Sequence, residues 1–492
     1  MTKDTERQCI IRITDGQPLA REYRMAEDVN LSLYAGEHIA IVGPNGSGKS
    51  RLVDIILGRH RLRLPQPVFD FRPSHKRMVS ENIVRVEFRD SYGAADRGYY
   101  LQQRWHSQEV SDLSPTVGEQ LAEAYAQSGD DTPERRALRE RLYNMFHLRT
   151  LLDKKVLFLS SGELRKFTLT KTLLCEPRVL ILEEPFIGLD ADAREQLSEL
   201  LTLLSRKADL MLVLVLSRRS DVPQFVTHIV PVEGLRVLPK EANRPLPCAP
   251  VREAAAPLPA AAAESERPSV IAFHDVSIRY GERTILKNLT WEVRQGDHWS
   301  LLGPNGAGKS LLLSLVCADN PQRYACDIRL FGVPSRGAGQ SIWDVKRRIG
   351  YVSPELHRGF SIDESLLRIV ATGLNGQAGH LARIDSPQEE ERCRKALRTF
   401  GLEHVADASF LRVSSGEQRL TLLARAFVSE PDMLILDEPL HGLDDRRREH
   451  VRSLIEDYCH ARPDATLVIV THYPADLPAC IDHSLQLVRN YR

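Results

Sequence analysis

The sequence has no excess charge of either sign: 66 lysines and arginines balance 66 aspartates and glutamates over 492 residues. That balance removes the broad basic field with which a protein grips nucleic acid or an anionic membrane. The eight cysteines include no C-x-x-C pair. They read as reduced cytosolic thiols, and neither a disulfide framework nor a zinc site is expected from their spacing. The opening residues, MTKDTERQCI, lack the apolar core of a signal peptide. No run approaches the roughly 18 apolar residues that a membrane helix needs. The most apolar stretch, residues 210–216 (LMLVLVL), has the length of a buried strand. A role at a membrane therefore requires a partner chain.

What is present is a duplication. GPNGSGKS at 43–50 recurs as GPNGAGKS at 303–310, an offset of 260, and SSGE at 160–163 recurs at 414–417, an offset of 254. LILEEPFIGLD at 180–190 returns as LILDEPLHGLD at 434–444. The length and the repeat divide the chain into two domains, 1–238 and 270–492. Residues 239–269 are rich in proline and alanine without apolar periodicity, and read as an extended, semi-rigid linker. In each half, short apolar runs alternate with helical segments. HIAIVG, RVLILEEP and LMLVLVLS are candidate buried strands, which predicts α/β domains with a mainly parallel sheet.

Two segments match G-x-x-x-x-G-K-[ST] between a strand and a helix. The first is Gly43, Pro44, Asn45, Gly46, Ser47, Gly48, Lys49 and Ser50. The second is Gly303, Pro304, Asn305, Gly306, Ala307, Gly308, Lys309 and Ser310. Glycines there let backbone N–H groups close around phosphate oxygens, and the helix N-terminus adds partial positive charge. Lys49 and Lys309 are expected at the β- and γ-phosphates, and Ser50 and Ser310 at Mg2+. The strands ending in ILEEP and ILDEP place paired carboxylates at a sheet edge. Glu183 and Asp437 are the expected metal ligands, and Glu184 and Glu438 the groups that act on the attacking water.

LSSGE (159–163) and VSSGE (413–417) resemble the signature of ATP-binding-cassette ATPases, and the resemblance covers both halves. It implies two P-loop NTPase domains, each with a parallel core sheet, a helical subdomain and an antiparallel β part. It also implies ATP and Mg2+ as ligands, with two ATPs sandwiched between the halves of a monomeric chain. One phosphate loop would be capped by Ser414, Ser415 and Gly416, the other by Ser160, Ser161 and Gly162. The family ends its last core strand with a γ-phosphate histidine, which the second half supplies as His472. The 254-residue offset carries His472 to Arg218 and Asp437 to Glu183, so both departures fall on one site. A carboxylate displaced by roughly 1 Å can cost about 10²-fold in rate, and Arg218 can clamp a phosphate without cycling protons. The first site is expected to hold ATP more than to hydrolyse it.

Gln103 (or Gln102), in YYLQQRW, matches the family's metal-linking glutamine, whereas the second half has Ser353-Pro354-Glu355 there. Tyr280 stands where the family stacks an aromatic ring on adenine; Ala20, with Tyr23 nearby, takes that place in the first half. Trp105 and Trp343 are expected as packing residues, and residues 444–450 as a solvated helix face. The segments 339–357 and 99–105 resemble tandem molybdate-transport ATP-binding proteins. That resemblance implies an energy-coupling subunit with membrane permease partners and no direct nucleic-acid contact. The chain would then be cytoplasmic and peripheral on the inner face of the cell membrane. The competing class is a soluble ABC-F-like translation or regulatory ATPase. The short, proline- and alanine-rich linker and the zero net charge of the chain count against it.

Overall fold

A computed structural model describes residues 7–88, 115–156, 159, 161–187, 189, 191–207, 209–244, 267–280, 283–304, 306–335, 341–360, 362–374, 384–471 and 476–488. The chain divides into two compact units, Met1–Cys248 and Ala249–Arg492.

In the first unit, five strands lie in the order His228–Glu233, Ile39–Val42, Met211–Leu216, Val179–Glu183, Ile83–Glu87, all mutually parallel. Every side chain of Met211–Leu216 is buried. A parallel strand covered on both faces requires that, and this explains an apolar run without alternation. A smaller antiparallel sheet, Val29–Tyr34, Cys9–Gly16 and Val68–Phe69, shares its core with the helix Lys49–Ile56. The helices Val117–Gln127, Pro133–Met145 and Ser161–Leu173 bury leucines and phenylalanines in a second core against the other sheet face. Glu241–Ala242, inside the stretch expected as linker, pair with His228–Glu233 as an edge strand. Lys240 Nζ, 2.7 Å from Glu37 Oε2, pins that edge.

The second unit repeats the plan. Its parallel sheet runs Ile349–Val352, Met433–Asp437, Thr466–Val470, His298–Leu302, His483–Gln486. Its antiparallel sheet contains Arg283–Arg294, Ser269–Tyr280, Asp327–Leu330 and Val333–Pro334. Its helical part contains Leu366–Ala371, Pro387–Thr399 and Ser415–Phe427. Trp343, expected to pack, is instead half exposed with Lys346 Nζ over its ring. Among the described residues, no helix is long and apolar enough to cross a membrane.

Candidate active site

In each unit the phosphate loop leaves the C-terminal end of a central parallel strand, where α/β sheets place their ligands. The first glycine of each loop packs closely on the neighbouring backbone. A side chain at Gly43 would put its Cβ 2.0 Å from the Val232 carbonyl oxygen, and one at Gly303 would lie 2.5 Å from that of Leu487. Gly48 and Gly308, at φ +107° and +99°, cap the helices Lys49–Ile56 and Lys309–Val316 in the left-handed region that glycine tolerates. Lys49 and Lys309 are buried at the first helical position. Lys49 Nζ donates to the carbonyls of Gly43 (2.6 Å) and Pro44 (3.0 Å), and Lys309 Nζ to those of Gly303 and Pro304. Each ammonium thus lies within its own loop. Ser50 and Ser310 are exposed at the loop's edge, where a hydroxyl can reach Mg2+.

The paired carboxylates close the same sheet edge. Glu184 and Glu438 donate their backbone N–H to Val215 and Val470, both at 2.9 Å. Both then adopt left-handed backbone, at φ +45° and +49°. A glutamate pays strain for that conformation, and its recurrence at Glu184 and Glu438 marks a position held for its side chain. Burial pushes the Glu184 carboxyl up to about 7, opposed by the nearby Lys49 ammonium and a hydrogen bond from Ser217. A carboxyl tuned towards neutrality suits proton transfer from water. Asp437 is buried and ends its strand next to Glu438, with the donor type and position that Mg2+ requires.

The strand-end carboxylates Glu183 and Asp437 differ more than one methylene would require. Glu183 Oε2 lies 2.8 Å from Arg85 Nη2. The same guanidinium reaches Glu87 at 2.9 Å and Asp54 at 3.2 Å. Arg85 sits opposite Ile181 across the parallel ladder, and Tyr351 sits opposite Ile435 in the second unit. At this ladder position the first unit therefore has a cation where the second has a phenol, and Arg85 engages the carboxylate of Glu183. The second unit adds its own feature: His441 Nδ1 lies 3.3 Å from Glu438 Oε2, and the 254-residue offset makes its counterpart Ile187. Sequence reasoning passed over both Arg85 and His441. His441 was legible inside LILDEPLHGLD, while Arg85 depends on strand register.

Ser414 caps the helix Ser415–Phe427, accepting from Glu417 N while Glu417 Oε2 accepts from Ser414 N at 2.9 Å. The signature is thus a capping box that presents Ser415 and Gly416 in the first helical turn. The corresponding helix Ser161–Leu173 carries Gly162. Arg165 donates to the Ile187 carbonyl and Arg419 to that of His441, bracing the segment after each glutamate identically. Sequence reasoning missed these arginines too, although both sit at the same place after SSGE. Ser353, in the expected glutamine position, is buried and caps the helix Pro354–Gly359 by accepting from Leu356 N at 3.0 Å. Arg218 follows the strand Met211–Leu216 at the same sheet edge. Tyr23 stacks on His60 with centroids 4.0 Å apart. Gln103, Trp105, Ser160, Gly188, Asp190, Asn305 and His472 lie outside the described residues, as do the side chains of Ser161 and Tyr280.

Two P-loop units of one plan, each with a phosphate loop, paired carboxylates at the sheet edge and a capped signature helix, define a tandem ATP-binding-cassette ATPase. The chain belongs to the ABC transporter family, whose model matches residues 26–187 and 286–441. It is 35% identical to the ABC transporter ATP-binding protein ModF of Escherichia coli, over 93% of this chain and 92% of that protein. It is 29% identical to an uncharacterized ABC transporter ATP-binding protein of Schizosaccharomyces pombe, over 94% and 95% of the two chains. Among solved structures, a model of ribosome-bound archaeal Pelota and ABCE1 superposes with a TM-score of 0.58 at 18% identity, covering 91% of this chain and 73% of that one. At that identity the likeness is one of fold alone.

Proposed function

We propose that this chain binds two Mg2+–ATP molecules, hydrolyses ATP chiefly at the phosphate loop of its second unit, and couples that hydrolysis to transport through separate membrane subunits. The observation that carries the hydrolytic assignment is the second unit's set of Lys309, buried Asp437 and the left-handed Glu438 beside His441. Mg2+ would be held by Asp437 and Ser310, and would neutralise charge on the phosphates. Glu438 accepts a proton from water as its oxygen bonds to the γ-phosphorus. The bond from that phosphorus to the bridging oxygen breaks, releasing ADP and phosphate. Arg85, engaged with Glu183, supports a first site that retains nucleotide. The remaining parts of the reading rest on the sequence resemblance: capping of each loop by the other unit's signature, Gln103 at the first metal, Tyr280 on adenine and His472 on the γ-phosphate.

The transport assignment draws on the relatives, which are named as ABC transporter ATP-binding proteins. An oxyanion is the first cargo to test. A Glu438→Gln variant, expressed in cells and held with ATP, should be recovered from solubilised membranes with an integral membrane partner. It should run free of ribosomes on a sucrose gradient. Stoichiometric ribosome sedimentation without a membrane partner would replace transport with the soluble translation or regulatory role.

A further inference from the structure

At the opposite end of the second unit's sheet, three side chains converge from separate elements. His298 begins the strand His298–Leu302, Cys459 lies in the last turn of the helix Asp445–Ala461, and Cys480 lies in the loop before His483–Gln486. One ring nitrogen of His298 and the two Sγ atoms form a set of ligand atoms all within 4.8 Å of one another. His298 Nδ1 pairs with the Cys480 carbonyl at 3.0 Å, which makes Nδ1 the protonated nitrogen. Nε2 is then left buried, bearing a lone pair and no hydrogen-bond partner. Metal-binding histidines are held in this way, with one N–H on a carbonyl and the other nitrogen free to ligate. The Cys480 loop is pinned at both sides. Ala479 N donates to Glu456 Oε1 at 2.7 Å, and His298 N donates to Asp482 Oδ1 at 2.9 Å.

The first unit shows the same strand without this arrangement. His38 N donates to Thr227 Oγ1 at 3.0 Å, the counterpart of the bond to Asp482. The His38 ring, however, is satisfied by backbone: Nε2 meets the Ser205 carbonyl at 2.8 Å, and Nδ1 accepts from Leu212 N at 3.2 Å. Ser205 stands at the Cys459 position and Phe225 at the Cys480 position. Two thiols therefore replace a hydroxyl and a phenyl ring only where the histidine nitrogen is unfilled.

We propose that His298, Cys459 and Cys480 form a binding site for a thiophilic d10 metal ion, Zn2+ or Cu+, with two thiolates, one imidazole and an open position for a further ligand. Binding releases the thiol protons. Zinc ligand atoms at about 2.0–2.3 Å from the ion are at most about 3.8 Å apart, so closure takes a contraction of about 1 Å at the partly buried Cys480. His298 precedes Gly303 by five strand residues, which separates this site from the phosphate loop by roughly 16 Å. The absence of a C-x-x-C pair thus does not exclude a metal, because the ligands meet through the fold.

The test uses the full chain, purified reduced and stripped of metal. Zn2+ and Cu+ are titrated separately in competition with chromophoric chelators, and Co2+ substitution reports thiolate ligation by its charge-transfer absorption. One equivalent of ion should bind. Cys459→Ser, Cys480→Ser and His298→Gln should each weaken it by about 100-fold or more and abolish the Co2+ band, whereas His38→Gln should not. Thermal unfolding of each apo variant verifies that it folds. The tighter of the two titrations identifies the ion. Uptake of neither ion by the reduced chain, or equal binding by the folded cysteine variants, would overturn the assignment. So would a Cys459–Cys480 disulfide in the isolated chain that, once reduced, leaves thiols binding neither ion.

Discussion

Arg85 Nη2 lies 2.8 Å from Glu183 Oε2, with both side chains largely withdrawn from solvent. That contact gives the longer carboxylate of the first unit a reason. Glutamate can reach an arginine on the neighbouring strand, where the second unit has tyrosine and a shorter aspartate. Removing the cation should have two effects. Arg85→Tyr leaves Glu183, Glu87 and Asp54 without it, and should cost the first unit about 2–3 kcal/mol, near the lower end for breaking a buried pair. The same change frees Glu183 for a metal. In a Lys309→Ala background, Mg2+ titration of nucleotide binding should show several-fold tighter metal dependence. Unchanged Mg2+ dependence would mean that Arg85 is structural alone.

The bases should not be equivalent. Glu438→Gln is expected to lower steady-state ATP turnover about 10²-fold or more. Glu184→Gln should lower it only a few-fold, because its neighbouring carboxylate is tied to Arg85. Phosphate release at saturating Mg2+–ATP decides this. Equal losses would remove any division of labour between the sites.

His441 Nδ1 lies 3.3 Å from Glu438 Oε2, so under the proposed hydrolytic role of Glu438 it acts through that carboxylate. It is a positioning residue, which predicts a lower kcat with little change in KM. His441→Ile, copying the first unit, should reduce kcat about tenfold with KM nearly unchanged. An effect on KM alone would place His441 in nucleotide binding instead.

Burial disfavours the charged form of His38 in the folded unit. Its Nδ1 accepts from Leu212 N, and burial lowers its pKa below 6.5. The unfolded chain therefore takes up a proton that the folded unit resists. The stabilisation is complete above the unfolded value and is lost as pH falls below it. Urea unfolding of the first unit should show a falling midpoint between about pH 7.5 and about pH 5.5. His38→Gln, which keeps one donor and one acceptor, should flatten that fall. An equally steep fall in the variant would assign the dependence to other groups.

The sequence alone determined the duplication, the parallel-sheet architecture and the place of both phosphate loops. The reason is local. A phosphate loop needs its glycines and lysine contiguous in the chain, and a strand buried on both faces needs an unbroken apolar run such as LMLVLVL. The difference between Glu183 and Asp437 was also visible, but not its cause. Arg85 is 98 residues from Glu183 and meets it only because two parallel strands align Glu87 with Glu183. The left-handed backbone of Glu184 and Glu438, the shift of Glu184 and the bracing by Arg165 and Arg419 likewise arise from tertiary packing. The cysteines make the same point. Cys459 and Cys480 have no metal-binding spacing, and His298 lies more than 150 residues upstream. Only the folding of a strand, a helix end and a loop onto one edge brings them within 4.8 Å. Contiguous motifs are written in the chain, whereas a site assembled across elements depends on register and packing that no local pattern encodes.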